Sequence, residues 1–179
     1  MNRRQVIPVG VIIERREIDN PWQDHSFRPV AVVPGMPAME EGADWRLIRE
    51  GEGWVHFHAA TFELELFPGE TEGYKTNLSN FQPHVYVVIA PGEEADDPEV
   101  VPTLVTACPY EAESYMEDSE MIVEGVPMPE ELAAWIGAFV ETFHKEETFK
   151  KRKNKKAYDP RKGDLRPRPL VEDREEEDG

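Results

Sequence analysis

Apolar residues fall into strand-like runs along much of this chain as far as Val126, broken by two short helical stretches, and follow a sustained helical period from about residue 130. QVIPVGVIIERREI (5–18) is β-branched and reads as one strand, with Pro8 near its start or at a sheet edge. Asp19, Asn20 and Pro21 end it. FRPVAVVPG (27–35) is a second such run and closes on a Pro-Gly turn. In WRLIREGEGWVHFHAATFELELF (45–67) the triplet Gly51, Glu52, Gly53 separates two alternating segments, which predicts a hairpin. Phe62, Leu64 and Leu66 alternate there with Glu63 and Glu65, as on a half-buried strand. Tyr74, Leu78 and Phe81 stand at i, i+4 and i+7, which predicts a short helix over 70–81, weakened by Gly73. HVYVVIAPG (84–92) is nearly continuous in apolar residues and predicts a central strand. TLVTA (103–107) and MIVEGV (121–126) complete the strands. Between them Pro109 opens a short helix, with Glu111 near its positive end.

From Pro129 the period changes. Glu130 and Glu131 occupy a first turn, and Leu132, Trp135, Ile136, Phe139, Val140 and Phe143 form an apolar stripe. Strands that cluster early, with few helices, predict an α+β fold: a mainly antiparallel sheet or partly closed barrel, covered by this C-terminal amphipathic helix.

Charge divides the chain more sharply than the hydrophobic pattern does. The formal net charge is −17 over 179 residues. Residues 1–149 hold 9 basic and 29 acidic side chains, residues 150–169 hold 10 and 2, and residues 170–179 hold 1 and 6. The body is therefore net −20, a basic arm +8 and an acidic tip −5. Leu, Ile, Val and Phe nearly vanish after residue 149, so one globular domain (1–149) and a disordered charged tail (150–179) are expected. No run approaches the ~18 to 20 apolar residues of a membrane span. The apolar run 6–13 is followed by Glu14 rather than a small-residue cleavage site, so no signal peptide is expected and the reading is cytoplasmic. A strongly acidic body disfavours nucleic acid and leaves a protein as the expected partner.

Candidate chemistry is sparse. His56 and His58 are two apart on a strand, so both imidazoles face one side and could bind one metal ion, with His25 and His84 as residues that could complete the set. Solvated or hydrogen-bonded histidines are the favoured reading, and no metal is assigned. Cys108 is the single cysteine, which excludes an intrachain disulfide and a multi-cysteine metal centre. At a helix start its thiol pKa would be lowered by the dipole, yet no base is placed beside it, so a core or cap role is favoured. No phosphate loop or serine nucleophile elbow occurs. No catalytic residue and no cofactor is assigned, and the balance favours a non-enzyme. The segment densest in distinctive side chains is NPWQDHSFRP (20–29). Trp22, Asp24, His25 and Arg28 in a loop suit recognition; the competing reading has Trp22 plugging a barrel end and Arg28 paired with Asp24.

VGVIIERREIDNPWQDHSFRPVAVVPG, WRLIREGEG, TACPYEAESYM, GVPMPEELAAWIGAFVETFH and FKKRK, in this order over residues 6–156, resemble an uncharacterised bacterial family, a domain of unknown function encoded near molybdenum-dependent formate dehydrogenase and its maturation genes. The resemblance implies an accessory role in assembling or regulating that enzyme through protein contacts, with a formate dehydrogenase subunit or a maturation factor as partner. On that reading the arm, including Lys151, Arg152 and Lys153, engages the partner, while Trp22, Arg28 and the turn Pro109, Tyr110, Glu111 form a rigid docking face. The alternative is a small-molecule or pterin-cofactor binding protein, or an enzyme of molybdenum cofactor biosynthesis, with its site in the 22–28 loop. Some relatives carry the label molybdopterin-guanine dinucleotide biosynthesis protein; the Gly-rich nucleotide loop expected of such a nucleotidyltransferase does not occur at this N-terminus.

Overall fold

Val9, Val11 and Ile13 are buried on one face of the first strand, and Gly10, Ile12 and Glu14 are buried on the other. A strand sequestered on both faces belongs inside a sheet. In the computed structural model, which describes residues 4–40 and 43–154, that strand is β1 (Gln5–Glu17). It lies between β2 (His25–Pro34) and β4 (Trp54–Leu66), and β4 carries β3 (Arg46–Gly51) on its other side, giving the order β2-β1-β4-β3. A second sheet sets β5 (His84–Pro91) between β6 (Val100–Thr106) and β7 (Ile122–Pro127). All pairings are antiparallel. Three helices, α1 (Thr71–Leu78), α2 (Pro109–Tyr115) and α3 (Glu130–Asn154), complete the described elements, with a 3-10 turn at Pro68–Glu70.

The two sheets meet along two seams, β2 against β7 and β4 against β6. Neither seam is a hydrogen-bonded ladder, so the partly closed barrel expected from sequence is replaced by two separate sheets. Proline supplies the physical reason. Pro29 and Pro34 on β2, Pro102 on β6 and Pro127 on β7 remove backbone donors from strands at the seams. Irregularities in β1 at Val11/Ile12 against β4 and at Ile12/Ile13 against β2 bend the strand further.

The core lies between the sheets and extends under the helices. Val9, Val11, Ile13, Leu64 and Leu66 meet Val85, Val87 and Ile89, and Leu132, Ile136 and Phe139 of α3 join the same cluster. Tyr74 of α1 packs edge-on against Phe139, with ring centroids 6.1 Å apart. Its hydroxyl accepts the Phe67 N–H at 3.0 Å. Asn77, fully buried, latches α1 to both neighbours of its C-terminal end. Its amide donates to the carbonyls of His84 (2.7 Å) and Ala107 (2.8 Å), and its oxygen accepts the His84 N–H (3.0 Å). That latch explains one departure from the sequence pattern: α1 stops at Leu78, and Phe81, expected on its apolar stripe, is 106% exposed.

Candidate functional site

The turn between β1 and β2 holds Trp22 out in solvent at 87% exposure. Three hydrogen bonds stiffen the turn. The Trp22 N–H donates to Asn20 Oδ1 (2.7 Å), the Ile18 N–H to the Asp24 carbonyl (3.1 Å), and Gln23 Nε2 to the His25 carbonyl (2.6 Å). An asparagine folding back onto the backbone two residues on is how such turns are fixed. Trp22 therefore does not plug the fold. His25 turns the other way, toward Phe27, which belongs with Trp45 and Phe57 to an aromatic group on the inner face of the first sheet.

Arg28 is not in this loop but inside β2, and its partner is not Asp24. Its Nε lies 3.5 Å from Glu14 Oε1. Cross-strand register puts Arg28, Glu14, His56 and Arg49 in one row across the four strands, on the outer face of the first sheet. Ser26, Arg16, Trp54 and Gly51 form the next row. Glu14 is only 4% exposed beneath Arg16 (51%) and Arg28 (60%). Arg16 Nη2 donates to Glu14 Oε2 at 2.7 Å, and His56 Nε2 lies 3.7 Å from the same oxygen. Oε1 has no hydrogen bond. Burial alone pushes this carboxyl up, but the Arg16 hydrogen bond and the charges of Arg16, Arg28 and His56 more than offset it and hold it below its ordinary value. Arg49 stacks over the Trp54 ring at 5.7 Å, and that ring lies against Gly51, where a Cβ would come within 2.5 Å of it. Further along the face Met36 folds over Gly10.

His56 and His58 do share a face, as the spacing predicts. His58 is sealed by the β2–β3 connection: its Nε2 donates to Thr61 Oγ1 (2.8 Å), whose proton goes to the Pro37 carbonyl (2.9 Å). Burial first, and then Arg46, lower its pKa, so the ring stays neutral. His25 lies on the opposite face and His84 in the second sheet, and among the described residues no group of three or more His, Cys, Asp or Glu is disposed to hold a metal ion.

Cys108 caps α2 but is buried, and burial pushes its thiol up to about 11, against the lowering expected from the helix dipole. The dipole of a seven-residue helix does not compensate for lost solvation. Its N–H donates to Thr106 Oγ1 (3.1 Å), and Thr106 donates to Glu111 Oε1 (2.6 Å), so Glu111 is tied into the helix start. Tyr110 is half exposed, its hydroxyl 3.2 Å from Thr76 Oγ1. The Pro109, Tyr110, Glu111 turn packs with α1, which follows the Leu66 end of β4 and thus sits at the Gln5 end of β1; Trp22 lies beyond the Glu17 end. Thirteen residues at ~3.3 Å each make β1 about 40 Å long, so the two halves of the expected docking face stand at opposite ends of the sheet. Lys151, Arg152 and Lys153 fall where only the α3 backbone is described, and residues 155–179 lie outside the described residues.

Glu14, Arg16, Arg46, Arg49 and Trp54 were not singled out by sequence reasoning. The available signal was one acid in the middle of an apolar strand, with Arg16 two positions on and therefore on its own face.

The described architecture is that of a two-sheet antiparallel α+β protein with a guanidinium-rich outer face. The chain belongs to the DUF3305 family, described as proteins of unknown function, whose pattern it matches over residues 8–153. No curated protein and no solved structure matches it significantly. Among the described residues no helix is long and apolar enough to cross a membrane.

Proposed function

We propose that this protein is a non-enzymatic accessory factor that docks on another protein, a formate dehydrogenase subunit or maturation factor, through the turn that carries Trp22. The observation behind it is the presentation of that indole: 87% exposed on a turn closed by three hydrogen bonds, so little ordering entropy remains to be lost on binding. Tryptophan is one of the three residue types enriched among binding hot spots. On this reading the basic arm at 150–168 leaves the acidic body to make a second contact with the partner, and the choice of partner rests on the gene neighbourhood that the sequence resemblance implies.

The test is affinity purification of the full chain and of Trp22→Ala from the native cell, with quantitative mass spectrometry of formate dehydrogenase subunits and maturation factors. A hot-spot loss of ~2 kcal/mol corresponds to recovery reduced about 30-fold. Equal recovery of those proteins with both chains, or none with either, defeats the proposal. A chain ending at Phe149 separates the arm's contribution from that of the turn.

A further inference from the structure

Residues 1–149 contain nine Lys and Arg against 29 Asp and Glu. Four of those nine, Arg16, Arg28, Arg46 and Arg49, stand on the outer face of one sheet. In the rows that carry them the only acid is Glu14, buried under Arg16 and Arg28. It orients the two guanidiniums and neutralises one charge, but it leaves most of their outward N–H donors to solvent, since each guanidinium carries five. Glu63 and Glu65 share the face but lie about 16 Å or more along β4 from the Arg46 row at ~3.3 Å per residue, past the ~8 to 10 Å over which charge is felt in physiological salt; Glu17 and Glu50 alternate to the other face, and Asp24 and Glu52 stand in the turns beyond the Arg16 row. The result is a compact cationic patch, with Trp54 and His56 at its centre, on a body that is otherwise strongly acidic.

We propose that this patch is the docking site of the chain's own acidic segment, residues 172–178 (EDREEED). Charge complementarity selects it: six acids and one base occupy residues 170–179. Spacing agrees, because alternate side chains of an extended peptide and alternate same-face rows of a sheet repeat at the same ~6.6 Å. Seventeen residues separate Asn154, the end of α3, from Glu172, and at up to ~3.3 Å each they cover about 56 Å. α3 is held through His144 at Thr71, near the Gln5 end of β1; Asn154 is ten helical residues further on, about 15 Å, and Arg16 lies about 36 Å along β1, so the segment reaches the patch even where those two lengths run in line. Tethering at millimolar effective concentration lets individually weak carboxylate–guanidinium contacts hold. The contact is separate from the Trp22 turn and stands or falls without it.

The test uses full-length, isotope-labelled protein with a nitroxide on Gly179→Cys, the native Cys108 being buried. At low salt the indole N–H signal of Trp54 and the amide signals of Arg16 and Arg28 are lost through proximity to the label. They return at about 1 M salt, where the screening length is ~3 Å. They also return when Glu172, Glu175, Glu176 and Glu177 are each changed to Gln, and in Arg46→Glu/Arg49→Glu, which spares the partners of Glu14. Full intensity of the Trp54 signal at low salt overturns the proposal, as does loss that persists in the Glu→Gln chain. A loss that persists undiminished when nitroxide-bearing chains without isotope are mixed with isotope-labelled chains without nitroxide makes a second copy the occupant and also overturns it. Should Arg46→Glu/Arg49→Glu disturb signals away from the face, the Glu→Gln chain alone decides.

Discussion

Removing Arg16 should cost more stability than removing the acid it pairs with. Glu14 is 4% exposed and its two guanidinium partners are about half exposed, so the two sides of this ion pair differ in what they lose when left alone. In Glu14→Gln the guanidiniums rehydrate, and the loss is one charge-assisted hydrogen bond net of solvation, about 1 kcal/mol. In Arg16→Met the stem packing is retained while a carboxylate stays buried, with Arg28 at 3.5 Å and His56 at 3.7 Å and no short hydrogen bond. Stranding a buried charge costs ~3 to 5 kcal/mol in full, and with Arg28 still close about 2 to 3 is expected. Urea unfolding at pH 7 measures both, and thermal midpoints should fall by ~2 to 4 °C per kcal/mol for a body of this size. The pH dependence then changes sign. In the native chain the Glu14 carboxyl lies below its ordinary value, so its stabilisation is present above pH ~4.5 and is lost as pH falls through the folded-state pKa. In Arg16→Met desolvation dominates, the folded-state pKa rises above the unfolded one, and stability is recovered on acidification. Glu14→Gln proving as damaging as Arg16→Met at pH 7, or an Arg16→Met penalty unchanged at pH ~4, would refute the reasoning.

Gly73→Ala, ordinarily a gain of up to ~1 kcal/mol in a helix, should destabilise by ~1 to 3 kcal/mol because the new Cβ meets the Cys108 sulfur at 2.5 Å, and Cys108→Ala should rescue it in a double-mutant unfolding cycle. Asn77→Ala strands two carbonyls and an N–H at the junction of α1, β5 and β6 and should cost about 3 kcal/mol by thermal unfolding, whereas an exposed polar residue such as Gln82 changed to Ala should stay within ~0.5. Burial raises the Cys108 thiol to about 11 and Tyr74 well above its usual value, so folding favours both neutral forms; stability should hold up to pH ~9 and fall as pH climbs through the raised values, and a thiol reagent at pH 7 should react only after denaturant is added.

Elements fixed by local pattern were readable from the residues alone. HVYVVIAPG is the centre of its sheet because a strand without polar positions has no face to give to water, and Gly51, Glu52 and Gly53 do turn a hairpin. Closure of the sheets was not readable. It depends on which strands meet at the seams, and only there do Pro29, Pro34, Pro102 and Pro127 take effect. Phe81 fitted a helical stripe that the tertiary latch of Asn77 cuts short. The outer face was hidden for a similar reason: Arg28, Glu14, His56 and Arg49 are scattered over 43 positions of sequence and become one row only through cross-strand register. Cys108 shows the opposite error, a local dipole argument overruled by burial that no single-sequence pattern discloses.

The arginines of β3 have a second consequence, for colloidal behaviour. β3 ends its sheet and is exposed throughout, and between Arg46 and Arg49 it carries Leu47 and Ile48, both substantially in solvent. An edge strand with apolar side chains offers unpaired backbone groups to any other strand that approaches. Arg46, Arg49 and Glu50 place charge at this edge and make edge-to-edge stacking of copies costly. Arg46 and Arg49, which make the outer face cationic, thus also raise a charge barrier at the β3 edge against strand-on-strand pairing of copies.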